Sequence, residues 1–437
     1  MHKTLVIALS AVATLAIATE TPSARETLGG MRQRLRSAHE KKDYPQMRQA
    51  ASDIHKFLHH SPNSTYDLAC AAALMGDKDV AIQLLTKAVA ARQTFPLEKD
   101  DDLVSLRSDP RFQALLPAMK RHLEPLSNST RVTTVAEKAL LPEDIAYDSN
   151  SDSFLLSSVL TRKIVRFYRR HPENLTVFAD LSSSPGWPLF ALALDSNHSV
   201  LWTTAAAISD FAATSKTDSG KTALIKLDLK TGRELARYSP KEDQQPRALG
   251  DMTVLADGTV IVSDGLRGGV YRLRPGAAQL EDISSGQFIS PQTPAATPDG
   301  KYVFVADYTR GIGRINLHSQ QVLWLRSEDS VSTNGIDGLY LNGSSLYAVQ
   351  NGSSPEKIVR YLLDSSMEQI KKMEILESNS PGLGDPTHGV FIGQDFYFIA
   401  NSGWDKLDDH GKLKPGAEFT APEIRRFVAS PHNEHIQ

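Results

Sequence analysis

The 437-residue chain holds one cysteine, Cys70. A single thiol excludes an internal disulfide, an iron–sulfur cluster and any zinc site built on several cysteines, so stability has to come from packing. Net charge is also small. Lys and Arg total 48 against 51 for Asp and Glu, a balance of −3. So weak a field gives no electrostatic reason to expect nucleic acid or an anionic membrane as a partner. No apolar run beyond the first residues is long enough to cross a bilayer, so no transmembrane anchor is expected. Nucleophile-elbow, HExxH, phosphate-loop and EF-hand motifs are missing, which removes the best-marked enzyme classes. What remains is a chain too long for one ordinary domain, with the 41% hydrophobic and 23% charged residues of a globular protein.

The start of the chain reads as an export signal over residues 1–18. Lys3 supplies a positive charge, residues 4–15 are apolar or small, and Ala16-Ile17-Ala18 is a small-x-small cleavage site. The expected compartment is periplasmic or extracellular.

Residues 20–126 carry helical periodicity with an internal repeat. Ala38 and Ala72, Asp43 and Asp77, Met47 and Ala81, and Pro62 and Pro96 are each 34 residues apart. That period is the signature of tetratricopeptide helix-turn-helix units. Gly76 is placed to end a helix in the left-handed region. Ala81, Leu84, Leu85 and Ala88 form an apolar stripe, with Pro96 as its stop. Asp109 and Pro110 are set as N-cap and first position of a last helix running to about Leu126. Two repeats and a cap are fewer than the three a free-standing solenoid needs, so this part should pack on something else. It serves either as a concave face for a partner peptide or as a collar on the rest of the chain. His55, His59 and His60 read as a solvated helix end, and Cys70 as a small core residue.

After a polar linker at 127–139 the helical period vanishes. Six copies of strand, tight turn, strand, polar loop and strand follow over 140–430. Asp257-Gly258, Asp299-Gly300 and Asn342-Gly343 are among the turns. Six such modules predict an all-β six-bladed propeller. The last blade lacks a fourth strand, and Val132-Thr133-Thr134-Val135 is available to close the ring.

Pro142-Glu143-Asp144-Ile145-Ala146-Tyr147-Asp148 with Ser157-Ser158-Val159 resembles the first blade of the gluconolactonase/regucalcin-like superfamily, whose six-bladed form is shared with NHL-repeat propellers. Gly250-Asp251-Met252, Ser290-Pro291-Gln292 and Gly335-Ile336-Asp337-Gly338-Leu339 continue the similarity. The resemblance implies a divalent metal held by a first-blade Glu, a middle-blade Asn and a later Asp. Glu143 matches the first and Asp337 the third, while Gln292 stands at the middle position. Gly250, beside Asp251, replaces a second Asn that contacts substrate in that family.

Propeller topology alone also brings Glu143 or Asp144, Asp251, Gln292, Asp337 and His388 to one ring at the channel mouth. Carboxylates so close repel unless a cation or protons compensate, and calcium tolerates irregular oxygen geometry best. The resemblance makes Glu143, Gln292 and Asp337 the expected metal ligands within this ring, with Asp251 or His388 as base. Loops on the same face add Tyr308, Asn351, Asn401 and Trp404 as candidate ligand-binding residues, and the polar insertion 208–221 as a wall. Two functions follow. One is a metal-dependent hydrolase of a small lactone or ester. The other is a non-catalytic module that binds a small molecule in the propeller or a protein through the helices.

Overall fold

A computed structural model describes residues 22–183, 186–208, 215, 217–241, 245–408 and 410–428. The expected export signal and half of the insertion 208–221 lie outside the described residues. Among the described residues no helix is long and apolar enough to cross a membrane.

Two helical hairpins and a fifth helix come first: α1 (Ala24–Glu40), α2 (Tyr44–Phe57), α3 (Pro62–Leu74), α4 (Lys78–Ala90) and α5 (Pro110–His122). Their ends follow from local chemistry. Ser23 and Glu26 form a reciprocal capping box on α1. Asp43, Ser61 and Asp109 accept backbone N–H groups at the starts of α2, α3 and α5, each with a proline in the first turn. Gly76 follows α3 at φ +84°, where a side chain is strained. The 34-residue pairs are equivalent at Asp43 and Asp77, which both precede a second helix, and at Ala38 and Ala72, which are both buried. They diverge at the prolines. Pro62 opens α3, whereas α4 has already ended at Ala90 before Pro96. The last helix stops at His122, short of Leu126. Tyr66, Leu85, Leu103, Leu106 and Phe112 fill the core where α3, α4 and α5 meet.

The rest is six four-stranded antiparallel sheets: residues 142–180, 189–238, 249–282, 291–324, 338–378, and a sixth spanning 389–428. These are the blades of a six-bladed β-propeller. The sixth blade has only three strands of its own, and Thr130–Thr134 supplies its outer strand by pairing with Glu423–Val428. The ends of the propeller are thereby hydrogen-bonded together. Apolar residues interleave between neighbouring blades, as where Phe154 and Phe167 of blade one meet Tyr397 of blade six.

The helices dock on the ends of blades three to five. Arg310, in a turn of blade four, lies between Phe57 of α2 and Trp324, 4.4 and 4.5 Å from the ring centres. It also donates to the Phe57 carbonyl at 3.1 Å. After α4, the buried Gln93 amide donates to Ser332 Oγ (2.7 Å) and Asn334 Oδ1 (3.3 Å). Lys357, fully buried in blade five, donates to the Arg92 carbonyl at 2.8 Å. Leu126 forms a two-way bridge with Ser378. His59 is part of this seam, its ring 5.2 Å from Trp324, so the histidine segment is a docking contact and not merely a solvated end.

Candidate functional site

The propeller axis is lined by the first strand of each blade. In blades one to four that strand is irregular where it begins: the register shifts between Pro142 and Ile145, Leu189 and Leu192, Leu249 and Met252, and Pro291 and Pro294. A bulge leaves backbone groups without ladder partners and re-aims side chains. Here hydroxyls on the second strand take up the unpaired groups. Ser157 Oγ accepts from Asp144 N–H (3.0 Å) and donates to the Phe190 carbonyl of the next blade. Thr204 Oγ1 accepts from Ala191 N–H (3.0 Å) and donates to the Gly250 carbonyl (2.6 Å). The bulges carry Glu143, Asp144, Asp251, Gln292 and Thr293, while Asp337 and His388 directly precede the first strands of blades five and six.

These residues form two layers. In the deeper one, His388 is 1% exposed and uses both ring nitrogens. Nδ1 donates to the Glu143 carbonyl at 2.9 Å, and Nε2 lies 3.2 Å from Asp251 Oδ1 and 3.1 Å from Thr293 Oγ1. Burial opposes the charge on the ring, but Asp251 and Asp144 outweigh it and hold the imidazole protonated well above its ordinary range. Thr293 Oγ1 also lies 3.0 Å from Asp251 Oδ2 and 2.7 Å from the Asp337 carbonyl. Asp144 accepts from Ile145 N–H and Leu192 N–H, both at 2.7 Å, and burial raises it to about 6. This layer is a locked network whose one cation is His388.

The outer layer is less satisfied. Ligand atoms of Glu143, Asp337 and His388 lie within 4.8 Å of one another. Burial, reinforced by the Asp337 charge, pushes Glu143 well above the ordinary carboxylate range. Burial raises Asp337 to about 7; His388 pulls the other way and Asp251 adds to the rise. Trp404 Nε1 donates to Glu143 Oε2 at 2.5 Å. Asn351 Nδ2 donates to Asp337 Oδ2 at 2.8 Å, and Tyr308 donates to Asn351 Oδ1 at 3.0 Å. Tyr308, Asn351 and Trp404 thus hold the acid pair. The Trp404 indole also packs beside Leu141, Val159 and Phe419.

Two sequence-predicted residues stand apart. The hydrogen bonds of Gln292 run to the Ser290 carbonyl and hydroxyl, not to Glu143 or Asp337. Asn401 is occupied with its own loop, donating to Thr420 Oγ1 and the Ala421 carbonyl and accepting from Glu423 N–H. Sequence reasoning missed Thr293, because a threonine beside Gln292 carries no signal of its own. It also missed Asp385 and Glu356, which sit next to the outer layer. Burial, then the Glu356 charge, raises Asp385 to about 7.

The donor set fits a hard divalent cation. Two carboxyl groups whose raised state the His388 charge offsets only in part lie together, and the hydrogen-bond donors beside them leave oxygen lone pairs free. The nitrogens of His388 are engaged elsewhere, so the ligands this geometry offers are Glu143 and Asp337.

Several solved structures resemble this chain in fold. A calcium-binding protein, regucalcin, from Agrobacterium tumefaciens str. C58 is 15% identical with a TM-score of 0.47, over 68% of this chain and 94% of its own. The PQQ-bound form of aldose sugar dehydrogenase from Streptomyces coelicolor is 13% identical with a TM-score of 0.46, over 70% and 99%. Virginiamycin B lyase from Staphylococcus aureus is 13% identical with a TM-score of 0.45, over 65% and 87%. Likenesses of this size concern the fold alone. No protein-family model and no curated protein matches the chain.

Proposed function

We propose that the channel mouth binds a divalent cation, calcium foremost, between Glu143 and Asp337, and that the loaded site takes a small oxygen-rich ligand beneath the Tyr308 and Trp404 loops. The observation that carries this is the pair of carboxyl groups with ligand atoms within 4.8 Å of each other, both raised chiefly by burial and only partly offset by the neighbouring His388 cation. A bound cation relieves that repulsion and polarises a ligand carbonyl. The reaction class that suits the site is hydrolysis of a small lactone or ester.

Within that reading, His388 is a fixed counter-charge that positions Asp251 and the Glu143 backbone. Asp251 keeps the role of base only if a ligand draws it from His388 and Thr293. We also read the chain as exported and the helical hairpins as tetratricopeptide-type repeats, following the 1–18 segment and the shared N-caps Asp43 and Asp77.

The test is thermal melting of chelator-treated protein titrated with calcium and manganese, run on wild type, Glu143→Gln and Asp337→Asn. Saturable stabilisation of wild type that both variants lack is expected. No shift with either ion, or the same shift in all three proteins, refutes the metal site. Turnover of a panel of lactones and esters by calcium-loaded protein, lost in Glu143→Gln, tests the reaction separately.

The second reading, a non-catalytic binding module, is favoured by one observation. Both oxygens of Asp251 and both nitrogens of His388 are already engaged, leaving no free base. Calcium binding with no turnover on the panel selects it.

A further inference from the structure

A cleft of about 550 Å³ opens where the helices meet the outer strand of blade five, Ile370–Ser378. One wall comes from the ends of α4 and α5, with Arg92, Arg121 and His122. The other comes from the loop with Glu328 and Val331, and the floor is the strand itself, including Lys371, Met373 and Ile375.

The outer strand is capped by the chain at each end and open between. At one end the N–H and C=O of Ser378 pair with Leu126. At the other the Ile370 N–H donates to the Arg326 carbonyl, and the Arg326 N–H to that of Glu368. Leu363, opposite Ile370, turns its N–H the other way, to the Ser344 carbonyl. Alternation along the strand, with its two register shifts, then points the backbone N–H and C=O of Met373 and Ile375 away from the sheet and into the cleft. Among the described residues these groups have no backbone partner outside the sheet. Asn128 Nδ2 also donates to the Leu376 carbonyl at 2.7 Å, so the open stretch is 371–375, which at about 3.3 Å per residue has room for an extended segment of roughly five residues.

The charges around this edge select the segment. Arg92, Arg121, Lys371 and Lys372 line the cleft against Glu124 and Glu328. Among the described residues, of the four cations only Lys372 has a carboxylate partner, Glu374 at 2.9 Å, and neither lining acid pairs with a lining cation. Ala90 and His122, the last residues of α4 and α5, also line the cleft.

We propose that this edge is a docking site for an extended acidic segment of a partner protein, which adds as a fifth strand to blade five between Leu126 and Arg326, its carboxylates meeting Arg92, Arg121 and Lys371. The backbone of Met373 and Ile375 supplies the pairing, and the basic walls supply the preference. Lysine on a strand edge also deters non-specific pairing, so the same residues reject neutral strands and admit acidic ones.

The experiment uses full-length protein and a fluorescein-labelled heptapeptide of alternating Glu and Val, followed by anisotropy. Saturable binding is expected. It should fall about tenfold for the same peptide N-methylated at alternate residues, whose charge is unchanged but whose backbone cannot pair. It should fall similarly for Arg92→Glu/Arg121→Glu. Ile375→Pro removes one outward N–H, and amide exchange at Met373 reads the same contact without any substitution; binding should protect that amide. Failure to bind, equal binding of the N-methylated peptide, or complete displacement by pyrophosphate would each overturn the proposal, the last marking the cleft as a simple anion site.

Discussion

Replacing Lys357 with methionine deletes an ammonium group from a place where nothing offsets its charge. The side chain is fully buried, its hydrogen bond is to the Arg92 carbonyl, and the nearest charge acting on it is the Arg92 cation. Burial, then Arg92, lowers the lysine from its ordinary 10.5 to about 7. The gap of roughly three and a half pH units corresponds to on the order of 5 kcal/mol. Its sign is fixed by proton counting. Near neutral pH the unfolded chain holds this proton more firmly than the folded one, so folding releases it and stability rises with pH across the window from about 7 to 10.5. Between pH 6 and pH 9 the contribution amounts to about 2.5 kcal/mol. Lys357→Met abolishes it. The variant also strands the Arg92 carbonyl, but that cost does not change with pH, so the slope and not the offset carries the test. The assay is denaturant unfolding of both proteins at three pH values across that range. Wild type should gain on the variant as pH rises, by about 2.5 kcal/mol over the range. Parallel stability curves would refute the reasoning and mean that Lys357 keeps its charge through a partner the geometry does not show.

Other substitutions separate docking, scaffold and site. Arg310→Ala removes two ring contacts and the bonds to Phe57 and Gln287. It should cost about 2 kcal/mol and speed proteolytic release of the helices, and wild-type cleavage would count against the docking role. Asn401→Ala should cost about 1–2 kcal/mol in a melt while calcium binding stays unchanged, because its amide serves only its own loop; a loss of calcium affinity would return it to the site. Thr293→Val removes the one hydroxyl proton within reach of Asp251 Oδ2 and the Asp337 carbonyl, leaving one of them short of a donor, and should cost about 2 kcal/mol, an expectation that an unaltered denaturation midpoint contradicts.

The strands near the axis were legible because their turns announce them. Gly258, Gly300 and Gly343 all adopt positive φ, as Asp-Gly and Asn-Gly turns require. The outer strands were not. Glu281–Asp282 and Val322–Trp324 are only two and three residues long, too short for alternation to mark them. The convergence of Glu143, Asp337 and His388 followed from topology, since a propeller brings the starts of its first strands together. Their division into two layers did not follow. It depends on the bulges, which shift register by one residue without leaving a compositional trace, and on which side of the bulge Gln292 falls. Asn401 looked like a pocket residue because an amide at a loop mouth fits a ligand and a backbone turn equally well; the choice is made by the nearby Glu423 N–H.

The strand that closes the ring has a consequence for how the protein is made. Thr130–Thr134 leaves the ribosome before any complete blade, yet its partner Glu423–Val428 emerges only after the first five blades. Throughout synthesis the growing sheets form an open arc with two unpaired edges, one at each end. A product cut short anywhere within the sixth blade would carry intact helices and five formed blades but no latch. The propeller therefore has a built-in check on its own completeness, since only a chain carried through the sixth blade can pair its first strand with its last.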